Sequence, residues 1–587
     1  MSLSPKQLAQ ILERQGFLTA GQVSQVLKES KQVGGVENGY RAYEQHALGY
    51  EVIQRLQFPS STDPSGVLGE VEIAKAVAAD ADLEFVRIDP LDLDADLIES
   101  RMSRPFAKRH RMLPLGMRDG RLQVACANPY DLESIDSFRR IVERDIDLLV
   151  ASEPDILKGI NEFYGLRHSV KRAEKDLSQG IDLGNLEALV RMKDEAEIES
   201  SDQHIVNAVE FMLQHGYDTR ASDIHIEPKR EDCLIRFRID GVLHDIQTVP
   251  KIVHKAVVSR IKTMSRLDIA EKRRPQDGRV KTQRGGKEIE LRVSTLPVAF
   301  GEKLVLRIFD PEVLIQDLPS LGFYPDELDL FNNFITRPHG IILVTGPTGS
   351  GKTTTLYSAL TAISTPELNI TTIEDPIEMV SPAFNQTAVN IKAGVTFAAA
   401  LRHILRQDPD IIMVGEIRDP ETAQYSIQAA LTGHLVFSTL HTNDAASSIT
   451  RLIDLGLERY LVTSTLAGAM AQRLVRRVCP HCAEDRYLSG DEIKTLMLSV
   501  APGKRIKVKS GAGCFECRGT GYFGRTGIFE VLAINDLVKQ LILEGADAPK
   551  IKREAVTHGM RTLRQSALRK LAEGVTTYEE VMRATSL

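Results

Sequence analysis

Apolar and polar positions divide the chain into stretches of different period. From residue 340 onward, short apolar runs at 341–345, 369–373, 411–414 and 435–440 alternate with longer stretches of helical spacing. Alternation of this kind predicts a mostly parallel sheet wrapped by helices. Between 202 and 309 the pattern changes to a helix at 205–215 and strands at 233–239, 288–294 and 304–309, which predicts a second α/β domain. Residues 3–164 carry helical patterns, broken by a polar Gly/Asn/Ser/Pro stretch and followed by short β-rich pieces such as 121–126. They are read as an α/β N-terminal domain. Residues 168–201 hold charges of both signs and few aromatics, the composition of a solvated linker or exposed helix. The expected division is 1–165, a linker at 166–200, a second domain at 201–312, a core at 313–475, a cysteine module at 476–521 and a helical region at 522–587.

Composition narrows the class. A chain of 587 residues exceeds one hydrophobic core, and 42% hydrophobic with 26% charged residues is an ordinary globular balance. No apolar run approaches the length needed to cross a bilayer. The opening MSLSPKQLAQILERQG lacks the apolar core and cleavage site of a secretory signal, so a cytoplasmic location is expected. A formal net charge of -7 argues against indiscriminate nucleic-acid binding.

The chemistry concentrates after residue 340. Gly346, Pro347, Thr348, Gly349, Ser350, Gly351, Lys352 and Thr353 fit G-x-x-x-x-G-K-[ST], between a predicted strand and a helical stretch that continues through Thr354. Glycines there let backbone N–H groups converge on phosphate oxygens at a helix N-terminus. Lys352 is assigned to the β- and γ-phosphates and Thr353 to Mg²⁺. Hydrolysis also needs carboxylates, and two follow apolar strands. Glu416, after 411–415, is assigned to Mg²⁺ and water; Glu374, in TIEDPIE, is the candidate for polarising the attacking water. Asp375 and Glu378 are balanced between such a role and ordinary pairing. His441 ends the strand in TGHLVFSTLHTN and is a candidate γ-phosphate sensor, whereas a lone histidine such as His434 is more often structural.

Six cysteines include two CxxC pairs, Cys479/Cys482 and Cys514/Cys517, with 31 residues between them. Four thiolates complete a tetrahedral zinc shell, which makes the site structural and leaves His481 outside it. A redox pair is the alternative, and two matched knuckles weigh against it.

GPTGSGKTT, TIEDPIE, LRQDPDIIMVGEIRD and LTGHLVFSTLHTND follow one another within about a hundred residues, preceded by SDIHIEP, RFRIDG, PQDGR and LRVSTLP. The set resembles the secretion ATPase superfamily, specifically type II secretion ATPases and their type IV pilus-extension relatives, over about 202–587. The resemblance implies a RecA-like P-loop core, a PAS-like N2 domain, a hexameric ring, and ATP, Mg²⁺ and Zn²⁺ as ligands. Arg292, Arg307, Arg402 and Arg406 match its charge-neutralising arginines, the last two sharing a helical face, and Arg525 matches a further basic position near the nucleotide. The tetracysteine insert is typical of the secretion and pilus-extension members.

The segment FAKRHRMLPLGMRDGRLQVACANPYDLESID resembles the family's adaptor-binding N-terminal domains. It implies attachment to an inner-membrane platform or adaptor protein, with an acidic phospholipid surface as a further partner. GKTTTLYSAL, TIEDPIE and AQRLVRRVC look closer to the type II secretion motor, with pilus extension as the alternative. Nucleic-acid translocation and a non-hydrolysing scaffold are rival classes, disfavoured by the acidic charge and by the complete set of site residues. Cyclic di-GMP binding is not expected, because Gln7-Leu8-Ala9 stands where relatives carry an Arg-Leu-Gly opening. Zinc removal is expected to loosen 477–521 without abolishing nucleotide binding. Loss of ATP binding on mild chelation with Mg²⁺ resupplied would overturn that reading.

Overall fold

The computed structural model describes residues 3–33, 49–59, 67–88, 93, 102, 104–118, 120–142, 145–162, 195–284, 287–309, 315–499 and 505–586. The expected linker at 166–200 lies outside these up to residue 194, and from there the helix Glu195–Asp218 begins. It is longer than the 205–215 spacing predicts.

The N-terminal region is built around two cores. Helices Pro5–Arg14, Ala20–Val33, Gly49–Leu56 and Glu70–Asp80 bury Leu8, Leu12, Val26, Ile53 and Val77 together. A separate core, with Phe138 and Val124, forms under strands β1 (Met112–Arg118), β2 (Arg121–Cys126) and β3 (Ile146–Val150). The α/β character expected for residues 1–165 therefore belongs to their second half. The two halves meet where Val150 joins the helical core and Phe85 bridges to it.

The second domain is a six-stranded antiparallel sheet. Its strands are β4 (Ala221–Pro228), β5 (Asp232–Ile239), β6 (Val242–Pro250), β7 (Gln276–Arg284), β8 (Lys287–Val298) and β9 (Gly301–Phe309), in the order β6-β5-β4-β9-β8-β7. Period-two alternation sends Cys233, Ile235 and Phe237 of β5 into one core with the helices Glu195–Asp218 and Lys251–Met264.

The large sheet comprises β10 (Gly340–Thr345), β11 (Ile370–Glu374), β12 (Asn385–Ala388), β13 (Ile411–Val414), β14 (Leu435–Leu440) and β15 (Leu466–Val478). After the small hairpin β16 (Ala483–Tyr487) and β17 (Lys507–Gly511), the chain returns as β18 (Tyr522–Ala533). The order is β12-β11-β13-β14-β10-β15-β18, parallel except for β18 against β15. A parallel sheet covered on both faces requires unbroken apolar strands. In β10, Ile341 and Leu343 enter one core while Ile342 and Val344 enter the other. Each such buried side chain is worth about 1.5–3 kcal/mol.

Residues 522–533, assigned from the sequence to a helical region, form the antiparallel edge strand, and β15 runs three residues past the expected core boundary at 475. Long-range pairing over the cysteine module decides this. The helical region proper begins at the helix Asp536–Glu544. β18 carries Glu530, fully buried, whose two oxygens accept from the Ala445 amide (3.0 Å) and the Leu563 amide (3.3 Å) at two helix N-termini. Lys552 Nζ lies 3.2 Å from Glu530 and 3.1 Å from Asp444. Breaking a buried pair by removing one partner costs about 3–5 kcal/mol. Glu530→Ala is expected to lower the unfolding free energy of the core by about that amount, read from its denaturant midpoint, and an unchanged midpoint would contradict the bridge.

Candidate active site

Because β10, β11, β13 and β14 are parallel and in register, their C-terminal ends meet at one edge of the sheet. In such folds ligands bind at that edge. From β10 the chain turns through Gly346, Gly349 and Gly351, at φ 153°, 78° and 90°, conformations that a side chain would strain. A Cβ at Gly346 would stand 2.6 Å from the Gln472 carbonyl. The helix Lys352–Ile363 starts directly after Gly351, so the loop lies at a helix N-terminus. Pro347, Thr348 and Gly349 are exposed and Ser350 is buried. Thr353 and Thr354 occupy the helix's first turn.

Lys352 donates to the carbonyls of Gly346 (2.7 Å) and Pro347 (3.2 Å). Burial pulls its pKa below the ordinary lysine value, while the carboxylates of Glu416 and Glu378 act in the opposite direction. Glu416 follows β13 and touches Arg418; its Oε2 is buried, accepts no hydrogen bond among the described residues and lies 3.3 Å from His441 Nε2. Such an oxygen, near enough to Lys352 for its charge to act there, suits a Mg²⁺ ligand. His441, half-exposed after β14, completes this end of the sheet. His434 bonds locally, its Nδ1 lying 2.8 Å from the Ala429 carbonyl.

Glu374 and Glu378 are disposed differently from the sequence-based assignment. Glu374 is the last residue of β11 and is buried. It accepts from Tyr357 Oη at 2.7 Å, Thr372 Oγ1 at 2.6 Å and Gln386 Nε2 at 3.1 Å, so both oxygens are engaged in the interior. Glu378, beyond the turn at Pro376, lies near enough to the Thr353 side chain for that hydroxyl to favour its charged form. Burial raises its pKa, opposed by the nearby charges of Arg292 and Arg307.

Those arginines come from the second domain. Arg292, on β8, donates to the Ile377 carbonyl beside Glu378 and lies over the Phe309 ring at 4.2 Å. Arg307, on β9, is 61% exposed and pairs with Asp223 at 3.0 Å. Arg525 lies 3.9 Å from Asp240, at the contact between β18 and the second domain. Arg402 and Arg406 stand apart. The helix Phe397–Ile404 ends before Arg406, so the two do not share a helical face, and both are exposed with no hydrogen bond to the phosphate loop among the described residues. The helix stops in a turn at Leu405–Arg406, and Asp408 follows at φ 50°. Sequence reasoning missed Gln472 and Arg473. Gln472 accepts from Thr355 Oγ1 at 2.8 Å, and an Arg473 nitrogen would lie 3.1 Å from a Cβ at Gly346. Their only sequence signal is AQRLVRRV, a strand far from the loop in the chain.

The four knuckle cysteines form a second centre. Sγ–Sγ distances are 3.7 Å for Cys479–Cys514, Cys482–Cys517 and Cys514–Cys517, and all four sulfurs lie within 4.8 Å of one another. Tetrahedral zinc with bonds of about 2.3 Å separates its sulfurs by about 3.8 Å, whereas a disulfide requires about 2.05 Å. The donor set fits zinc. Amides of Cys514 and Gly521 donate to Cys517 Sγ at 3.1 and 3.2 Å. Although burial opposes the thiolate, these bonds hold the Cys517 pKa below the ordinary thiol value. Among the described residues no helix is long and apolar enough to cross a membrane.

Comparison with known proteins agrees with this construction. Residues 198–583 match the family described as Type II/IV secretion system protein, and residues 81–170 match the MshEN domain. The type IV pilus assembly ATPase TfpB of Acinetobacter baylyi is 44% identical over 519 residues, 88% of this chain and 89% of that protein. The type IV pilus assembly ATPase PilB of Myxococcus xanthus is 40% identical over 526 residues, 89% of this chain and 92% of that protein. The type II secretion system protein E of Xanthomonas campestris pv. campestris is 43% identical over 489 residues, 82% of this chain and 84% of that protein. A phosphate loop at the edge of a parallel sheet, carboxylates facing it, a four-cysteine centre and these matches lead to one conclusion: the chain belongs to the type II/IV secretion ATPase family, whose members hydrolyse ATP.

Proposed function

We propose that the chain is the Mg-ATP-driven motor of a type II secretion system, acting in the assembly of its filament as a hexamer at the cytoplasmic face of the inner membrane. The observation that carries the ATPase part is the convergence of Lys352, Thr353, Glu378 and Glu416 at one sheet edge, with Arg292 of the second domain reaching the same turn. A specific observation favours a second reading, motor of type IV pilus extension: TfpB is 44% identical over 519 residues, beside 43% over 489 for the Xanthomonas secretion protein. The two values are too close to separate the machines. Our preference for secretion rests on the wording of GKTTTLYSAL, TIEDPIE and AQRLVRRVC.

In this reading the loop amides and Lys352 bind the triphosphate, and Thr353 and Glu416 hold Mg²⁺, which supplies charge neutralisation on the transferred phosphoryl group. The water-orienting role assigned to Glu374 from the sequence passes to Glu378, since the Glu374 oxygens are occupied by Tyr357, Thr372 and Gln386. Arg292 and Arg307 neutralise the developing charge when the second domain closes. Arg402 and Arg406, exposed on the core, act on a neighbouring subunit's nucleotide, which makes an isolated monomer a poor catalyst. His441 senses the γ-phosphate through Glu416, and Arg525 assists domain closure through Asp240. Four cysteines hold Zn²⁺ as a structural ion.

The N-terminal domain docks on the cytoplasmic domain of a platform or adaptor protein, with acidic phospholipid as a supporting surface and no nucleic-acid partner. Gln7, Leu8 and Ala9 lie outside the MshEN match at 81–170, so the missing Arg-Leu-Gly opening does not decide cyclic di-GMP binding. Calorimetric titration of the full chain with cyclic di-GMP does.

Two measurements test the reading. Glu378→Gln is expected to reduce kcat on the order of 100-fold or more, the usual scale for a lost acid–base group, with nucleotide binding retained. Glu374→Gln is expected to reduce thermal stability more than kcat, and the reverse ranking would return the role to Glu374. Mg-ATPase activity compared with that of Glu416→Gln, with and without acidic vesicles and the cytoplasmic domain of a secretion or a pilus platform protein, tests the machine. Stimulation by the secretion platform, lost in the variant, is expected; stimulation by the pilus platform alone selects the second reading, and stimulation by DNA alone overturns both.

A further inference from the structure

The second cysteine knuckle touches more of the molecule than a structural ion requires. Between Cys514 and Cys517 it presents Phe515 and Glu516 outward, each 37% exposed. Arg87 of the N-terminal domain meets both: Nη1 lies 2.9 Å from Glu516 Oε1, and the guanidinium carbon lies 4.5 Å from the centre of the Phe515 ring. The same guanidinium is anchored in its own domain by Asp155, 2.7 Å from Nε and nearly buried. A cavity of about 560 Å³ separates the two bodies, with Ile88 and Leu115 on one wall and Gly513 and Gly519 on the other.

The other side of the module meets the second domain. Phe523, just past the knuckle, carries the Arg220 guanidinium at 3.8 Å on its face and lies edge-on to His481 of the first knuckle at 6.1 Å. The Gly524 amide donates to Asp240 at 2.9 Å. Arg518 lies near enough to His215 and His244 of the second domain to add to the depression that burial imposes on both.

This knuckle is shaped by close backbone approaches, by Thr520 Oγ1 donating to the Cys517 carbonyl at 2.6 Å, and by its two cysteines. Gly513 passes so close to Gly519 that a Cβ would lie 2.7 Å from its carbonyl oxygen, and one on Gly511 would lie 2.1 Å from that of Gly521. The orientation of Phe515 and Glu516 is therefore set by the two ligands that flank them. We propose that the metal-held second knuckle is the docking surface for the chain's own N-terminal domain, so that metal occupancy fixes where this domain sits relative to the motor. The inference rests on the zinc reading above.

The test uses the full chain, with bound metal quantified by atomic emission and amide exchange followed by mass spectrometry. Glu516→Arg and Phe515→Ala alter the outward face without touching a metal ligand or the N-terminal core. With metal content unchanged, both are expected to speed exchange at 84–88 on the order of tenfold, the consequence of losing a charge-assisted contact. Removing the metal from the unaltered chain is expected to do the same. Unchanged exchange in both variants with metal bound would overturn the docking. A purified chain without metal in which 84–88 is nonetheless protected would refute the zinc dependence, leaving the Arg87 contact to the two variants.

Discussion

A lysine ammonium held half out of water at the end of a parallel sheet is the constraint around which the rest is arranged. Burial alone works against the charge on Lys352. It is kept in place by the carbonyls of Gly346 and Pro347 and by the fields of Glu416 and Glu378. Each partner is delivered by a different strand end, so the lysine is usable only if β10, β11 and β13 stop at one level. Parallel register supplies that level, and the two-sided apolar core supplies the register. The loop glycines follow from the same need, since a Cβ at Gly346 would strike the Gln472 carbonyl.

Two acids near the same turn acquire different duties from their surroundings. Glu374 remains on the strand and is consumed by Tyr357, Thr372 and Gln386, a buried network that pins β11 to β12 and to the helix Lys352–Ile363. Glu378 lies past Pro376 and meets Thr353 together with the second domain's arginines. A carboxylate engaged on both oxygens by interior donors holds structure; one set near a P-loop residue and cations is the better placed for chemistry.

This division marks where sequence reading stops. The phosphate loop, the sheet strands and the cysteine pairs are legible because each depends on neighbours within a few residues: glycine spacing, an apolar run, a CxxC. The strands at 411–414 and 435–440 fall where the pattern puts them. That the Glu374 oxygens are engaged in the interior is seen only with the positions of Tyr357 and Gln386, residues with no local link to the motif. Arg473 is invisible for the same reason, as its relevance comes from β15 lying beside β10. Tyr522–Ala533 was misplaced because its partner strand lies on the far side of the cysteine insert. In the N-terminal region the helical core and the α/β core meet at Val150 and Phe85, and no break in periodicity announces the change.

The placement of the cysteine insert has a physical logic of its own. β15 and β18 are antiparallel neighbours, so the cysteine insert forms the connection between them, and the four-cysteine cluster sits at its base. The second domain takes hold of the same connection just beyond the cysteine cluster, through Asp240 to the Gly524 amide and Arg525. From there β18 pairs residue by residue with β15, Arg525 opposite Arg476 and Phe529 opposite Gln472. Gln472 and Arg473 in turn lie against the phosphate loop. The second domain therefore reaches the loop by two contiguous sets of contacts, directly through Arg292 at the Glu378 turn and indirectly along a hydrogen-bonded strand pair. The pair is stiff because its edge strand is bolted from beneath by Glu530 to the N-termini of two helices. The single Arg525–Asp240 contact, partly exposed and 3.9 Å long, contributes little energy by itself; its importance is geometric, since it joins the second domain to β18, the strand that leaves the cysteine cluster and pairs with β15, which carries the phosphate loop's neighbours Gln472 and Arg473.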